Sequence, residues 1–416
     1  MRLKQIVMNK LSPPLNVCMV HSFHHNRGGD TTYTRQVTQG LQSRNHVVHP
    51  FAMQHPLNDS VPSQRYFAPW TPLSQKTKLR AKDILKLIWS RDAYQAFATA
   101  IDQLKPDVIH VQHLHRHLTP SILAAARLRK VPVVWTLHDY ELLCPSGKMV
   151  RQGQMCSLCA NGSVLPAVRH RCKWNNTAAS LLSAIEHGTH RLIHIEDWID
   201  AFVCPSQFLE KHLQKRIPVD RIHHIPNPVQ LTKSKPASKN QWLVAGRLSP
   251  EKGFDVAIKA ALKLPQYPLL ICGDGPERQR LEHLANGAKH IHFLGMLPHE
   301  TLQKHISESA IIAVPSKWPE NFPYAVIEAQ AQGKPTVASK MGGIIEQITH
   351  EETGLLVPPG DPIALHAAIA RLFKKPEWAE ELGRKAQSRV ATVCRFETHL
   401  ERLENLYTHV IFNRLN

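Results

Sequence analysis

Short runs rich in Val, Ile and Leu recur along the chain, and each is followed by a loop and a stretch of helical periodicity. "NVCMVHSF", "PDVIHVQ", "VPVVWTLHD", "IDAFVCPS" and "RIHHIPNP" form one series. After the Lys/Ser/Pro-rich stretch "VQLTKSKPASKN" the alternation restarts with "QWLVAGR", "YPLLICG", "HIHFLG", "AIIAVPS" and "KPTVAS", and helices are then expected to the end of the chain. Continuous apolar strands separated by helices predict parallel sheets covered on both faces. Two series about one linker predict two Rossmann-like α/β domains, at residues 1–230 and 238–395, with an amphipathic helix over 396–416 packing back toward the first. Ligands of such sheets sit beyond the carboxyl ends of the strands, here in the cleft between the domains.

A length of 416 residues agrees with two domains rather than one core. Hydrophobic residues at 43% and charged residues at 20% describe a globular protein. No apolar run approaches the roughly 18 residues of a spanning helix. "MRLKQIVMNKLSPPLNVCMV" lacks the apolar core of a signal peptide, so a cytoplasmic protein is expected. The formal net charge is +18, with 27 histidines besides. Such a surface suits polyanions, among them phosphorylated ligands and the anionic inner membrane leaflet. A basic surface without a specific partner fits the charge equally well. With no Lys/Arg block and no nucleic-acid motif, no nucleic acid is expected.

Several strand ends carry chemistry. In "VAGRLSPEKGFD" a strand closes at Gly246, and Arg247 and Lys252 precede a helix near Gly253. Two cations beside a helix N-terminus suit a diphosphate, although a solvated basic loop would look the same. Gly28 and Gly29 in "HHNRGGDTT" leave backbone N–H groups open to a phosphate or sugar, or simply make a tight turn with Asp30 as cap. Gly273 in "ICGDGPERQ" is a third such junction, equally readable as a turn packed on the sheet. Glu320 and Glu328 stand with seven residues between them in "PENFPYAVIEAQ", one before a Pro turn and one inside a helix. His138 in "WTLHDY" should overhang the cleft, or be a turn histidine partnered by Asp139. His110, His113, His115 and His117 lie in a loop facing the acceptor side, some of them solvated.

These stretches, with "FLGMLPHETL" and "VPSKWPENFPYAVIEAQAQGKPTVASKMGGIIEQITHEETGLLVPPGD", resemble glycosyltransferase family 4 of the two-domain GT-B architecture over nearly the whole chain. The resemblance implies that Glu328 accepts hydrogen bonds from the ribose of a nucleotide-diphosphate sugar. It implies that Glu320 and His138 lie near the donor sugar, and that the backbone of Asn321 and Phe322, with Gly28, Gly29 and Gly273, borders the donor. It also implies that Arg247 and Lys252 hold the diphosphate. Where those cations neutralise the leaving group, no cofactor is required for catalysis. Transfer with retention to a glycan or lipid-linked acceptor is expected. Transfer to a small soluble acceptor, and a non-catalytic nucleotide-binding or nucleic-acid-binding relative, are the alternatives.

Residues 144–174 break the alternation. Cys144, Cys156, Cys159 and Cys172 read C-x11-C-x2-C-x12-C, with only one of the two C-x2-C knuckles of a zinc ribbon. Structural zinc, an iron–sulfur cluster and unliganded thiols all remain open at this point. The insert's Lys148, Arg151, Arg169, Arg171 and Lys173 are expected at an anionic acceptor or on a solvated face. Cys18, Cys204 and Cys272 lie in apolar runs and belong in cores.

Overall fold

The computed structural model describes residues 14–70, 81–160, 162–231 and 239–415. Residues 1–13 of the N-terminal stretch read for a signal peptide and residues 232–238 of the linker lie outside them. Fourteen strands run in chain order: β1 Asn16–His21, β2 Val47–Phe51, β3 Val108–His113, β4 Val133–Thr136, β5 Val150–Arg151, β6 Gln154–Met155, β7 Ala201–Cys204 and β8 Ile222–His224, then β9 Lys239–Ala245, β10 Leu269–Cys272, β11 Ile291–Gly295, β12 Ser309–Val314, β13 Thr336–Ser339 and β14 Leu355–Val357. One sheet has the order β2-β1-β3-β4-β7-β8 and the other β11-β10-β9-β12-β13-β14. All pairings within both are parallel.

These orders are the two doubly wound arrangements, and each reverses direction once. The first reverses between β1 and β3 and the second between β9 and β12. A crevice opens at the carboxyl ends of those pairs, where the crossovers leave in opposite directions. The loops concerned start at Ser22, Leu114, Gly246 and Pro315. Central strands such as β4 and β7 are buried at every position, as strands covered by helices on both faces must be. The GT-B expectation of two parallel α/β sheets holds.

Besides the β5–β6 hairpin of the insert, two strands escaped the alternation. β2 carries His49 and Pro50 and sits at a sheet edge, where a missing N–H is tolerated. β14 is three residues long and interrupts the region read as entirely helical. The four loop histidines also differ from expectation: none is exposed, and His110 is enclosed within β3. Cys18, Cys204 and Cys272 are buried as expected, and Cys394 joins them.

The last two helices belong to different lobes. Pro376–Val393 packs on the helix Tyr324–Ala331 of the second domain through Val390, Ile327 and Ala331. Phe396–Leu415 buries Leu400, Leu403, Leu406, Tyr407 and Val410 against Val17, Met19, Tyr33 and Val37 of the first. This seam also carries hydrogen bonds. The Tyr407 hydroxyl meets His110 Nδ1 at 2.6 Å, and His110 Nε2 meets Thr136 Oγ1 at 2.7 Å. His399 lies 3.0 Å from the Tyr33 hydroxyl and 2.8 Å from the Pro226 carbonyl. A neutral imidazole has one donor and one acceptor, so each ring is fully used while uncharged.

Burial holds His110 and His115 at about 3 and His399 at about 4, against 6.5 in an unfolded chain. The unfolded state therefore takes up protons that the fold refuses, and stability rises with pH across this window. It is fully present above about 6.5 and is lost as pH falls toward 4. The melting temperature should already decline between pH 6.5 and 5, above the range where unperturbed carboxylates titrate, with the three histidines outweighing the opposite contribution of Glu328, which burial raises to about 7. An unchanged melting temperature between pH 7 and 5 would contradict this account.

Candidate active site

The β9 loop leaves the sheet at Gly246, passes Arg247 and makes a short turn at Pro250–Lys252 before the helix Phe254–Ala261. Gly253 joins turn to helix at φ 73°, and a Cβ there would stand 1.8 Å from the Pro315 carbonyl oxygen at the end of β12. Only glycine lets the two loops approach this closely. That approach sets Lys252 against the carboxylate beyond β12: its Nζ lies 2.7 Å from Glu320 Oε1. Ser316 Oγ donates to the same oxygen at 2.7 Å. The ammonium also sits 5.5 Å from the Trp318 ring centroid. Glu320 is only 5% exposed, so its charge is sustained by these partners.

Glu328 follows on the helix Tyr324–Ala331. Burial raises its carboxyl to about 7, with the nearby Gln303 amide acting in the opposite sense. Arg247 is exposed and forms no ion pair among the described residues. Among those residues, the backbone N–H groups of Asn321 and Phe322 also find no protein acceptor. The Asn321 side chain has a different task. Its Nδ2 donates to the Leu137 carbonyl at 2.8 Å and its Oδ1 accepts from Ser206 Oγ at 2.6 Å, both in the first domain.

Leu137 precedes His138, so this contact brings the β4 loop to the donor side. His138 Nε2 lies 2.8 Å from Gln112 Oε1, and its ring meets Tyr33 edge-on at 4.8 Å. Burial lowers the imidazole to about 4. With Nε2–H donating to Gln112, Nδ1 is left as an acceptor. Asp139 is not its partner; that carboxylate accepts from the Glu141 backbone N–H at 2.8 Å. Gly28 and Gly29 open the helix Gly29–Ser43, and a Cβ on Gly29 would lie 3.2 Å from the Tyr324 ring of the other domain. Asp30 stands 3.1 Å from His21 Nε2. Burial alone would raise its carboxyl, but the His21 contact and the histidines around it hold it low.

Three readings change. Gly273 is a packing glycine, since a Cβ there would be 1.9 Å from the Gly246 carbonyl oxygen. Lys173 is neither solvated nor at an acceptor: it is buried 3.7 Å from Glu141, and burial lowers its ammonium to about 7. Lys148 instead reaches across the cleft to Glu251, 3.1 Å away and next in sequence to Lys252. Two ligand-like triads, His115–Glu186–His190 and His113–Asp139–Glu141, lie beside this face. Their acids are compensated by Arg116, which pairs with Glu141 and lies 3.7 Å from Glu186, and by Lys173. Sequence reading also missed Glu346, whose carboxylate accepts from the backbone N–H groups of Gln207 and Phe208 at 2.7 and 2.6 Å across the domains. No motif marks it, because its partners are backbone atoms 138 and 139 residues away.

A family model described as "Glycosyltransferase Family 4" matches residues 27–233, and one described as "Glycosyl transferases group 1" matches residues 231–389. The chain is 34% identical over 230 residues to an exopolysaccharide phosphotransferase of Streptomyces coelicolor, covering 52% of this chain and 24% of that protein. It is 34% identical over 152 residues to the D-rhamnosyltransferase WbpZ of Pseudomonas aeruginosa, covering 36% of this chain and 40% of that one. The chain thus spans less than half the length of these curated relatives. Sucrose-phosphate synthase from Thermosynechococcus elongatus superposes with a TM-score of 0.71 at 22% identity, over 95% of this chain and 99% of its own. The Anabaena protein Alr3699/HepE, solved with UDP and glucose, gives 0.63 at 17% identity, over 95% and 99%.

Replacing Lys252 by Met should strand the Glu320 carboxylate. We expect a loss of about 1–3 kcal/mol in denaturant unfolding, reduced from a fully buried pair because Lys252 is partly exposed. Adding Glu320→Gln to that variant should recover part of the loss. If the two changes are simply additive, the pair is not the support described here.

Proposed function

Given that the chain belongs to glycosyltransferase family 4, with the GT-B fold, we propose that it moves a sugar from a nucleoside-diphosphate donor to an acceptor hydroxyl with retention of configuration. The observation that carries this reading is one cluster: Lys252 on Glu320, with Arg247 in the same loop and Glu328 on the adjoining helix, at the switch point of the second sheet. In this reading the bond from the anomeric carbon to the β-phosphate oxygen breaks, and negative charge grows on the departing diphosphate. Arg247 and Lys252 stabilise that charge as it forms. The acceptor oxygen bonds to the anomeric carbon on the face the diphosphate leaves. Its proton passes to a leaving-phosphate oxygen, giving a glycoside and a nucleoside diphosphate. Neutral His138 accepts from a sugar hydroxyl through Nδ1, and Glu328 accepts from the ribose hydroxyls.

The Anabaena neighbour solved with UDP and glucose supports a nucleotide-sugar donor. The rhamnosyltransferase and exopolysaccharide relatives support polysaccharide or glycolipid synthesis as the setting of that transfer. Among the described residues no helix is long and apolar enough to cross a membrane, and the net charge is +18. From that charge we propose peripheral docking on anionic lipid. Co-sedimentation with anionic vesicles should exceed that with neutral ones and fall as salt is raised; preference for neutral vesicles would refute it.

The decisive experiment is a melting panel of UDP-, GDP-, ADP- and CDP-sugars, with NMR of the anomeric configuration in any product. One nucleotide series should raise the melting temperature. An inverted product would overturn retention, and no shift with any series would overturn the donor reading. With Glu328 near 7, binding should strengthen as pH rises through 7 and the carboxylate forms. Glu328→Gln should bind roughly 10-fold or more weakly and lose this pH step, since hydrogen bonds to a charged acceptor are worth about 1.5–3 kcal/mol.

A further inference from the structure

The insert between β4 and the helix Thr177–Leu192 is poorly held by its own side chains. Met155, Leu158 and Leu165 face solvent, and the β5–β6 hairpin joins no other sheet. Yet its four cysteines, two of them from one C-x2-C knuckle, line one small cavity together with Met149 and His170. Cys144 ends a turn whose N–H bonds to the Tyr140 carbonyl at 2.8 Å. The Cys156 N–H bonds to the Met149 carbonyl at 2.8 Å, and that of Cys172 to the Ala167 carbonyl at 3.0 Å. Cys159 is buried, and none of the four is in a disulfide. The thiols stand wider apart than the two histidine–carboxylate triads, whose ligand atoms already lie within 4.8 Å of one another.

Positive charge surrounds the cavity. The Arg191 guanidinium donates to the carbonyls of Cys159, Ala160 and Leu143, and Arg151 Nη1 lies 3.3 Å from His170 Nε2. Four thiolates around a divalent ion carry a net charge of −2, and Arg191 and Arg151 are placed to offset it.

We propose that Cys144, Cys156, Cys159 and Cys172 bind one zinc ion as thiolates and so fasten the insert beside the cleft. Zinc displaces four protons, one from each thiol, with no oxidation or reduction. The thiols draw in to the roughly 2.3 Å Zn–S bonds of a closed tetrahedral site. The insert carries Lys148, which grips Glu251 next to Lys252, so the metal orders one wall of the site without touching substrate.

Metal content can be read whether or not the chain transfers sugar. Full-length protein from zinc-supplemented cells should hold one zinc per chain by elemental analysis, released by a mercurial. Cobalt exchanged for zinc should give thiolate charge-transfer bands and tetrahedral d–d bands. A Cys156→Ser/Cys159→Ser variant should lose the zinc and become cleavable by trypsin within 144–174, while the rest of the chain stays protease-resistant. Four thiols freely reactive in the native, metal-free protein would overturn the proposal. Iron with labile sulfide, or disulfides among these cysteines, would do so equally. Zinc retained in the double variant would place the ion elsewhere.

Discussion

A carboxylate cannot stay charged in a protein interior without a partner, and Glu320 is the carboxylate on which the second domain's cleft wall is organised. Lys252 and Ser316 meet it from two different loops, 2.7 Å away in each case. Its own backbone carbonyl accepts from Gly343 at 2.7 Å, which ties in the loop beyond β13. A Cβ on Gly343 would stand 1.7 Å from the Asn321 carbonyl oxygen, so these loops lie back to back. Three strand ends are thereby pressed into one surface.

That surface sorts its charges by what each must meet. Arg247 is solvated and unpaired among the described residues, whereas Lys252 is already engaged. On the proposed reading, a diphosphate there would meet one free cation and one that divides its field between the ligand and Glu320. Opposite, His138 is neutral and bound to Gln112 rather than to a carboxylate. A neutral ring can meet sugar hydroxyls without repelling the cations nearby. On that side Asp30 lies 3.1 Å from His21 Nε2, next to the Gly28–Gly29 turn.

Strand periodicity made most of the architecture legible, because β1, β3, β4, β7, β9, β10, β12 and β13 are buried runs with little else to be. β2 and β14 were opaque for the converse reason. An edge strand containing Pro50 and a three-residue strand carry too little pattern to separate from loop. At the site, Lys252 and Glu320 were legible as residue types, but their contact was not. It depends on Gly253 allowing two loops 60 residues apart to touch. Gly273 shows the same limit from the other side. A glycine at a strand end reads identically whether it clears space for a ligand or for the next loop's carbonyl. Lys173 failed for a third reason: a cation in a basic segment looks solvated until Glu141 is seen beneath it.

The two lobes are joined differently at their two sides. At the connection, the chain passes from the first domain into the second beyond Leu231 and returns near Arg395. These crossings lie side by side, since Val229 bridges to Arg395 and its N–H bonds to the Cys394 carbonyl at 2.9 Å. Apolar packing among Val229, Phe322, Val390 and Cys394 fills this edge. Across the cleft the contacts named above are polar: Ser206 with Asn321, Lys148 with Glu251, and Glu346 with the backbone at Gln207. Polar contacts exchange with water at little net cost, while a packed apolar edge does not. A cleft bounded in this way opens most cheaply on its polar side, about an axis near Val229 and Cys394.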